Sequence, residues 1–236
     1  MEPDYAAARQ RMVDFLRLEI RDERVLAAMA RIPRERFVPE PLRPYAYEDR
    51  PLPIGFDQTI SQPLIQAMMT ELLELTGTER VLEVGTGSGY QAALLAELAA
   101  HVVTVERVPE LARRAEATLR ELGYTNVEVH LALDTLGWPD GAPYDAIIVT
   151  AAAPRVPHAL VDQLRSPGGR MVIPVGSRRI QQLVRVTQLP EGTMLQRFGE
   201  CRFVPLIGVE AWRENEWEPL TPASPSGNGV TGSSGD

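Results

Sequence analysis

The chain contains no lysine: all 24 basic residues among its 236 are arginine. That removes lysine Schiff-base and amine-nucleophile chemistry from consideration. There is a single cysteine, Cys201, so an internal disulfide and a cysteine-built metal site are both excluded. Histidines are few as well. His101, His130 and His158 share no ligand spacing, and no metal site is expected. No stretch approaches the ~18 apolar residues of a membrane-spanning helix. The acidic start, Met1-Glu2-Pro3-Asp4, lacks the apolar segment of a secretory leader. A cytoplasmic protein without membrane contact is the expectation. Acidic residues outnumber basic ones by 32 to 24, and a net charge of -8 argues against a nucleic-acid-binding face.

Residues 4–31 carry Val13, Leu16, Leu18, Ile20, Val25, Leu26 and Met29 at helical spacing among arginines and glutamates. Residues 33–63 are rich in proline and aromatics, including Phe37, Tyr45, Tyr47 and Phe56. That composition is too apolar for a free linker, and an ordered loop region is expected. A helix returns over 63–75. From residue 80, strand-like runs at 81–84, 102–106, 127–131, 146–149 and 171–175 alternate with helical runs at 91–99, 109–122 and 157–164. Such alternation predicts an α/β fold, a doubly wound and mostly parallel sheet with helices on both faces. Residues 183–187 and 202–206 look like a terminal strand pair turning at Pro190-Glu191-Gly192. From Glu218 on, 11 of 19 residues are Gly, Ser or Pro, the composition of a flexible tail. The expected organisation is therefore residues 1–75 packed on the main domain, a main domain over 76–212, and a tail over 213–236.

The sharpest local signal is Val84-Gly85-Thr86-Gly87-Ser88-Gly89-Tyr90, a strand running into G-x-G-x-G and then a helix. Glycines there let a ligand approach the backbone at the carboxyl edge of a parallel sheet, and free N–H groups face it. Glu83 precedes the turn, and Glu106 ends the next strand, where a carboxylate can accept both hydroxyls of a ribose. A nucleoside-containing cofactor held by Glu83, Gly85, Thr86, Gly87, Ser88, Gly89 and Glu106 is the reading.

The glycine run with the later acid resembles the S-adenosylmethionine-dependent methyltransferases. Ile54-Gly55-Phe56-Asp57-Gln58-Thr59-Ile60-Ser61-Gln62-Pro63 is similar to the loop of the protein-L-isoaspartate O-methyltransferases. So are Leu136-Gly137-Trp138, Ala151-Ala152-Ala153-Pro154, Pro167-Gly168-Gly169-Arg170 and Arg202-Phe203-Val204-Pro205-Leu206, in order, over residues 5–212. The family's Gly-Asp-Gly after the third strand is replaced by Ala132-Leu133-Asp134, which shifts the acid by one place. The resemblance implies a rearranged order of the last sheet strands relative to most methyltransferases. It implies methyl transfer from S-adenosylmethionine to the free carboxylate of L-isoaspartyl residues in damaged proteins and peptides, the activity of a protein-L-isoaspartate(D-aspartate) O-methyltransferase. It also implies Ser61 as the catalytic position, Asp134 toward the adenine, and Thr59, Ile60, Gln62, Val204 and Pro205 along the substrate. A monomer is favoured.

The residues suit that chemistry. A carboxylate with an ordinary pKa near ~4 is already ionised and needs no general base, and the sulfonium methyl is already activated, so in-line alignment is what remains. Ser61 has a second reading, as cap of the helix that starts near Pro63. Two further readings stand beside methylation of isoaspartate: another acceptor, or a protein that binds the cofactor without catalysis. Methylation of a base nitrogen is disfavoured because Thr150-Ala151-Ala152-Ala153-Pro154 stands where such enzymes carry Asn/Asp-Pro-Pro-aromatic.

Overall fold

The protein is described by a computed structural model over residues 4–216. Trp217 and the tail from Glu218 on, for which flexibility is expected from composition, lie outside the described residues.

The N-terminal segment is two helices rather than the single helical run expected over 4–31: α1 (Tyr5–Leu16) and α2 (Glu23–Arg31). The break has a local cause. Asp22 caps α2 by accepting from the Arg24 N–H at 2.8 Å. Glu71 of α3 (Pro63–Glu71) accepts from the Arg21 and Asp22 N–H groups at 2.6 and 2.7 Å, which fixes the chain between the helices. The proline-rich region is ordered, as its apolar content predicted. Short 3-10 turns lead into a hairpin of β1 (Leu52–Gly55) and β2 (Gln58–Ile60). Phe56 and Asp57 both take positive φ at its tip, the conformation of a two-residue hairpin turn.

The main sheet has seven strands: β3 (Arg80–Val84), β4 (His101–Glu106), β5 (Val127–Leu131), β6 (Ala146–Val149), β7 (Arg170–Gly176), β8 (Gln181–Leu189) and β9 (Gly192–Cys201). Their order is β5-β4-β3-β6-β7-β8-β9, with the first five parallel and the last two antiparallel. Helices α4 (Tyr90–Ala96), α5 (Pro109–Glu121) and α6 (His158–Val161) supply crossovers. The central strands are buried on both faces, which explains their unbroken apolar runs. Val81, Val102 and Ile148 join one core with α1–α4, while Leu82, Val103 and Ile147 join a second core on the opposite face.

The final strand pair differs from expectation. β8 pairs with β9, and residues 202–206 leave the sheet. β9 reads GTMLQRFGEC and is exposed almost throughout, so no alternation marks it as a strand. Residues 202–206 instead run past the ends of the strands, tied to Ala152, whose N–H donates to Val204 O at 2.8 Å and whose O accepts from Leu206 N at 2.8 Å. The chain direction across the sheet reverses between β3 and β6, and ligands of open α/β sheets bind outside such a switch point. Among the described residues no helix is long and apolar enough to cross a membrane.

Candidate active site

The glycine turn leaves β3 at this switch point. Gly85, Gly87 and Gly89 all have positive φ, which suits glycine and strains other residues. At Gly85 a Cβ would also collide with the Thr150 hydroxyl, which donates to Gly85 O at 2.6 Å and to Val84 O at 3.1 Å. Gly89 lies under α5, where an added Cβ would sit 3.1 Å from Ala115 Cβ. The turn is anchored below by the Gly85 and Thr86 N–H groups, both donating to Val105 O.

Glu106 ends β4 beside this turn and lines the cleft. Its carboxylate accepts from the Gly87 N–H at 2.8 Å and the Val108 N–H at 2.9 Å. Two backbone donors hold the group in place and leave lone pairs for a ligand. The cleft continues along residues 132–137, where Asp134 stands exposed on the wall. Although shifted by one place from the family pattern, this acid still faces the cleft. The cradle therefore suits an adenosyl cofactor: a turn free of Cβ atoms, a held carboxylate at the end of β4, and a second acid farther along the wall.

A second chamber of about 810 Å³ opens beside the cleft. Gln58, Thr59, Arg107, Thr150, Val204, Pro205 and Ile207 line both, so they form a common wall. Ser61 and Gln62 line only the second chamber. Gln62 Nε2 donates to Asp49 Oδ2 at 2.7 Å. Asp49 Oδ1 accepts from the Leu64 N–H at 2.9 Å, so Asp49 satisfies the first turn of α3. Ser61 makes no such cap, and its hydroxyl has no partner among the described residues. Its carbonyl is held instead by Arg34 Nη2 at 2.6 Å.

Several predicted positions sit elsewhere. Ile60 was expected along the substrate but is 2% exposed in the core, because alternation on β2 turns Thr59 outward and Ile60 inward. Glu83 was expected at the cofactor but is wholly buried and does not line the cleft. Its Oε2 accepts from Thr104 Oγ1 at 2.6 Å and its Oε1 has no partner. Burial pushes its carboxyl up to about 8 despite the Thr104 hydrogen bond, and the Glu106 charge adds to the rise. Thr86 turns inward, its hydroxyl 2.6 Å from that of Thr104. Ser88 faces a small pocket with Arg36 and Arg114 rather than the cleft, and Gly89 packs behind it. Of the predicted cofactor residues, Gly85, Gly87, Glu106 and Asp134 share the cleft wall.

Sequence reasoning missed Thr150, Asp49 and Arg34. Thr150 had a legible signal as the first polar residue after the apolar run of β6, at the edge where ligands bind. Asp49 and Arg34 lie in the proline-rich region without periodicity. Cys201 is buried at the edge of the second chamber, and burial pushes its thiol up to about 11, which keeps it protonated.

The model of the protein-L-isoaspartate(D-aspartate) O-methyltransferase family matches residues 7–211. Protein-L-isoaspartate O-methyltransferase 1 of Syntrophobacter fumaroxidans is 54% identical over 211 residues, 89% of this chain and 98% of that protein. The corresponding protein of Methanoculleus marisnigri is 56% identical over 207 residues, 87% of this chain and 94% of its own. A solved protein-L-isoaspartate O-methyltransferase superimposes with a TM-score of 0.76 at 29% identity, covering 86% of this chain and 67% of that one. A crystal structure from Plasmodium falciparum, described as a protein of the same kind in complex with S-adenosyl-L-homocysteine, superimposes with a TM-score of 0.73 at 24% identity, covering 86% and 98%. The family match over nearly the whole described chain and the two-chamber site agree, and the chain belongs to the protein-L-isoaspartate O-methyltransferase family.

Proposed function

We propose that Ser61 orients the acceptor for the family's reaction and that the common wall aligns it with the methyl donor. The reaction is methyl transfer from S-adenosylmethionine to the free carboxylate of an L-isoaspartyl residue in a damaged protein or peptide, which starts its repair. When bound, S-adenosylmethionine supplies a methyl group already activated by its sulfonium. Glu106 would accept hydrogen bonds from the ribose hydroxyls, the Gly85–Gly87 backbone would lie against the cofactor, and Asp134 would accept from the adenine amino group. The isoaspartyl side chain enters the second chamber as a carboxylate, so no base is required. The Ser61 hydroxyl donates to one of its oxygens and leaves the other free to attack. Thr59, Val204 and Pro205, on the wall common to both chambers, align the acceptor with the methyl donor. The observation that carries this reading is a Ser61 hydroxyl without a partner among the described residues, in a chamber that shares its wall with the cofactor cleft.

Work in the cytoplasm, as a monomer, belongs to the same proposal; the cysteine-poor composition supports a reducing compartment.

Ser61→Ala is expected to lower turnover about 10–100-fold, the loss of one orienting hydrogen bond, with cofactor affinity unchanged. Labelled methyl transfer to an isoaspartyl peptide, with its aspartyl twin as control, measures this. Because Asp49 caps α3, the variant should melt as the wild type does. Normal turnover would remove Ser61 from the chemistry.

A further inference from the structure

Arg34 is wholly buried and forms no ion pair among the described residues; the Asp49 carboxylate favours its charge only from a distance. Buried arginines without a counter-charge are rare because desolvation of the cation is costly. All three ends of this guanidinium meet neutral acceptors from separate stretches of chain. Nε donates to Ala46 O at 2.7 Å, before the β1–β2 hairpin. Nη1 donates to Gln66 Oε1 on α3. Nη2 donates to Ser61 O at 2.6 Å. The guanidinium also lies 4.7 Å from the centroid of the Tyr90 ring. Tyr90 is the first residue of α4, directly after Gly89 of the cofactor turn. One side chain thus joins the acceptor loop, the helix that follows it, and the helix that leaves the glycine turn.

The grip falls on the backbone of the residue whose side chain is uncommitted. Ser61 has its carbonyl held and its hydroxyl without a partner among the described residues. We propose that Arg34 is a positioning residue for methyl transfer: by fixing the Ser61 peptide against α3 and Tyr90, it aims the Ser61 hydroxyl at the acceptor carboxylate. The inference rests on the assignment of Ser61 made above. Arg34 lines neither chamber and touches no reacting atom, so its effect passes through Ser61. Lysine cannot replace it, because one ammonium on a flexible stem does not reach three acceptors in a planar fork.

The test is a double-variant cycle on the full chain with an isoaspartyl peptide: Arg34→Lys, Ser61→Ala and both together. Arg34→Lys is expected to lower kcat about 10–100-fold, as misplacement of an orienting group does. KM and the affinity for S-adenosylhomocysteine, measured by calorimetry, should stay within about threefold. In the Ser61→Ala background the same change should cost no more than about twofold further, since the hydroxyl it positions is gone. Wild-type kcat in Arg34→Lys overturns the proposal. So do losses that multiply in full in the double variant, which would mark a role in folding or elsewhere in the site. If Ser61→Ala alone is unimpaired, the Ser61 assignment falls and takes this inference with it. Should Arg34→Lys not fold, Gln66→Met removes one of the three acceptors instead. A kcat loss of about 3–10-fold that vanishes on the Ser61→Ala background supports the proposal, and an unchanged kcat overturns it.

Discussion

Glu106→Ala is expected to weaken cofactor binding by at least about 100-fold. Hydrogen bonds to a charged group contribute about 1.5–3 kcal/mol each, and a ribose offers two. The loss goes further, because the same carboxylate fixes the Gly87 and Val108 N–H groups. Without it, two backbone donors lose their partner and the glycine turn loses its hold on the end of β4. Glu106→Gln separates the two roles. The amide keeps one acceptor oxygen but turns a donor toward a backbone N–H, so an intermediate loss is expected. Calorimetric titration with S-adenosylhomocysteine measures both variants, and far-UV circular dichroism confirms that they fold. Wild-type affinity in a folded Glu106→Ala chain would remove Glu106 from the cofactor site.

Glu83 sets up an equally large effect on stability. Its carboxyl titrates at about 8 in the folded chain, against an ordinary value of 4.5. Between those values the native state keeps a proton that the unfolded chain releases. Stability therefore declines as pH rises through this window, by about 1.4 kcal/mol per pH unit for this group alone. The contribution is complete below pH 4.5 and lost above pH 8, a total on the order of 4–5 kcal/mol. Glu83→Gln carries no titrating proton at this position. Urea midpoints at pH 5, 7 and 9 should accordingly fall more steeply for the wild type, with the variant gaining on it as pH rises. Parallel curves would show that Glu83 is ionised in the native state.

The two glutamates also show what can be read from a sequence and what cannot. Glu106 was legible because a strand that ends in an acid places that acid at the carboxyl edge, whatever the packing around it. Glu83 lies within its strand, and there the period of two decides between ligand and core. The apolar runs on both sides of a doubly covered sheet hide which face is which. Ile60 went astray for the same reason on a strand of three residues. The five parallel strands and the glycine turn were plain from periodicity and spacing, whereas β9 was not, since an exposed edge strand has no face to mark. Arg34 gave no signal, because burial of an arginine depends on three acceptors that come together only after folding.

The β8–β9 hairpin separates two duties along its length. Its inner end, at the Gln181–Cys201 pair, borders the acceptor chamber through Glu200 and Cys201. Its outer end turns at Pro190-Glu191, and the nine residues of β8 between them span about 30 Å. The chamber wall at Val204 and Pro205 hangs on Ala152 rather than on this turn. The turn is accordingly a natural splice point. A fluorescent reporter or a surface tether inserted at Glu191 would ride far from the methyl donor, and an immobilised enzyme built this way should treat small isoaspartyl peptides as the free chain does.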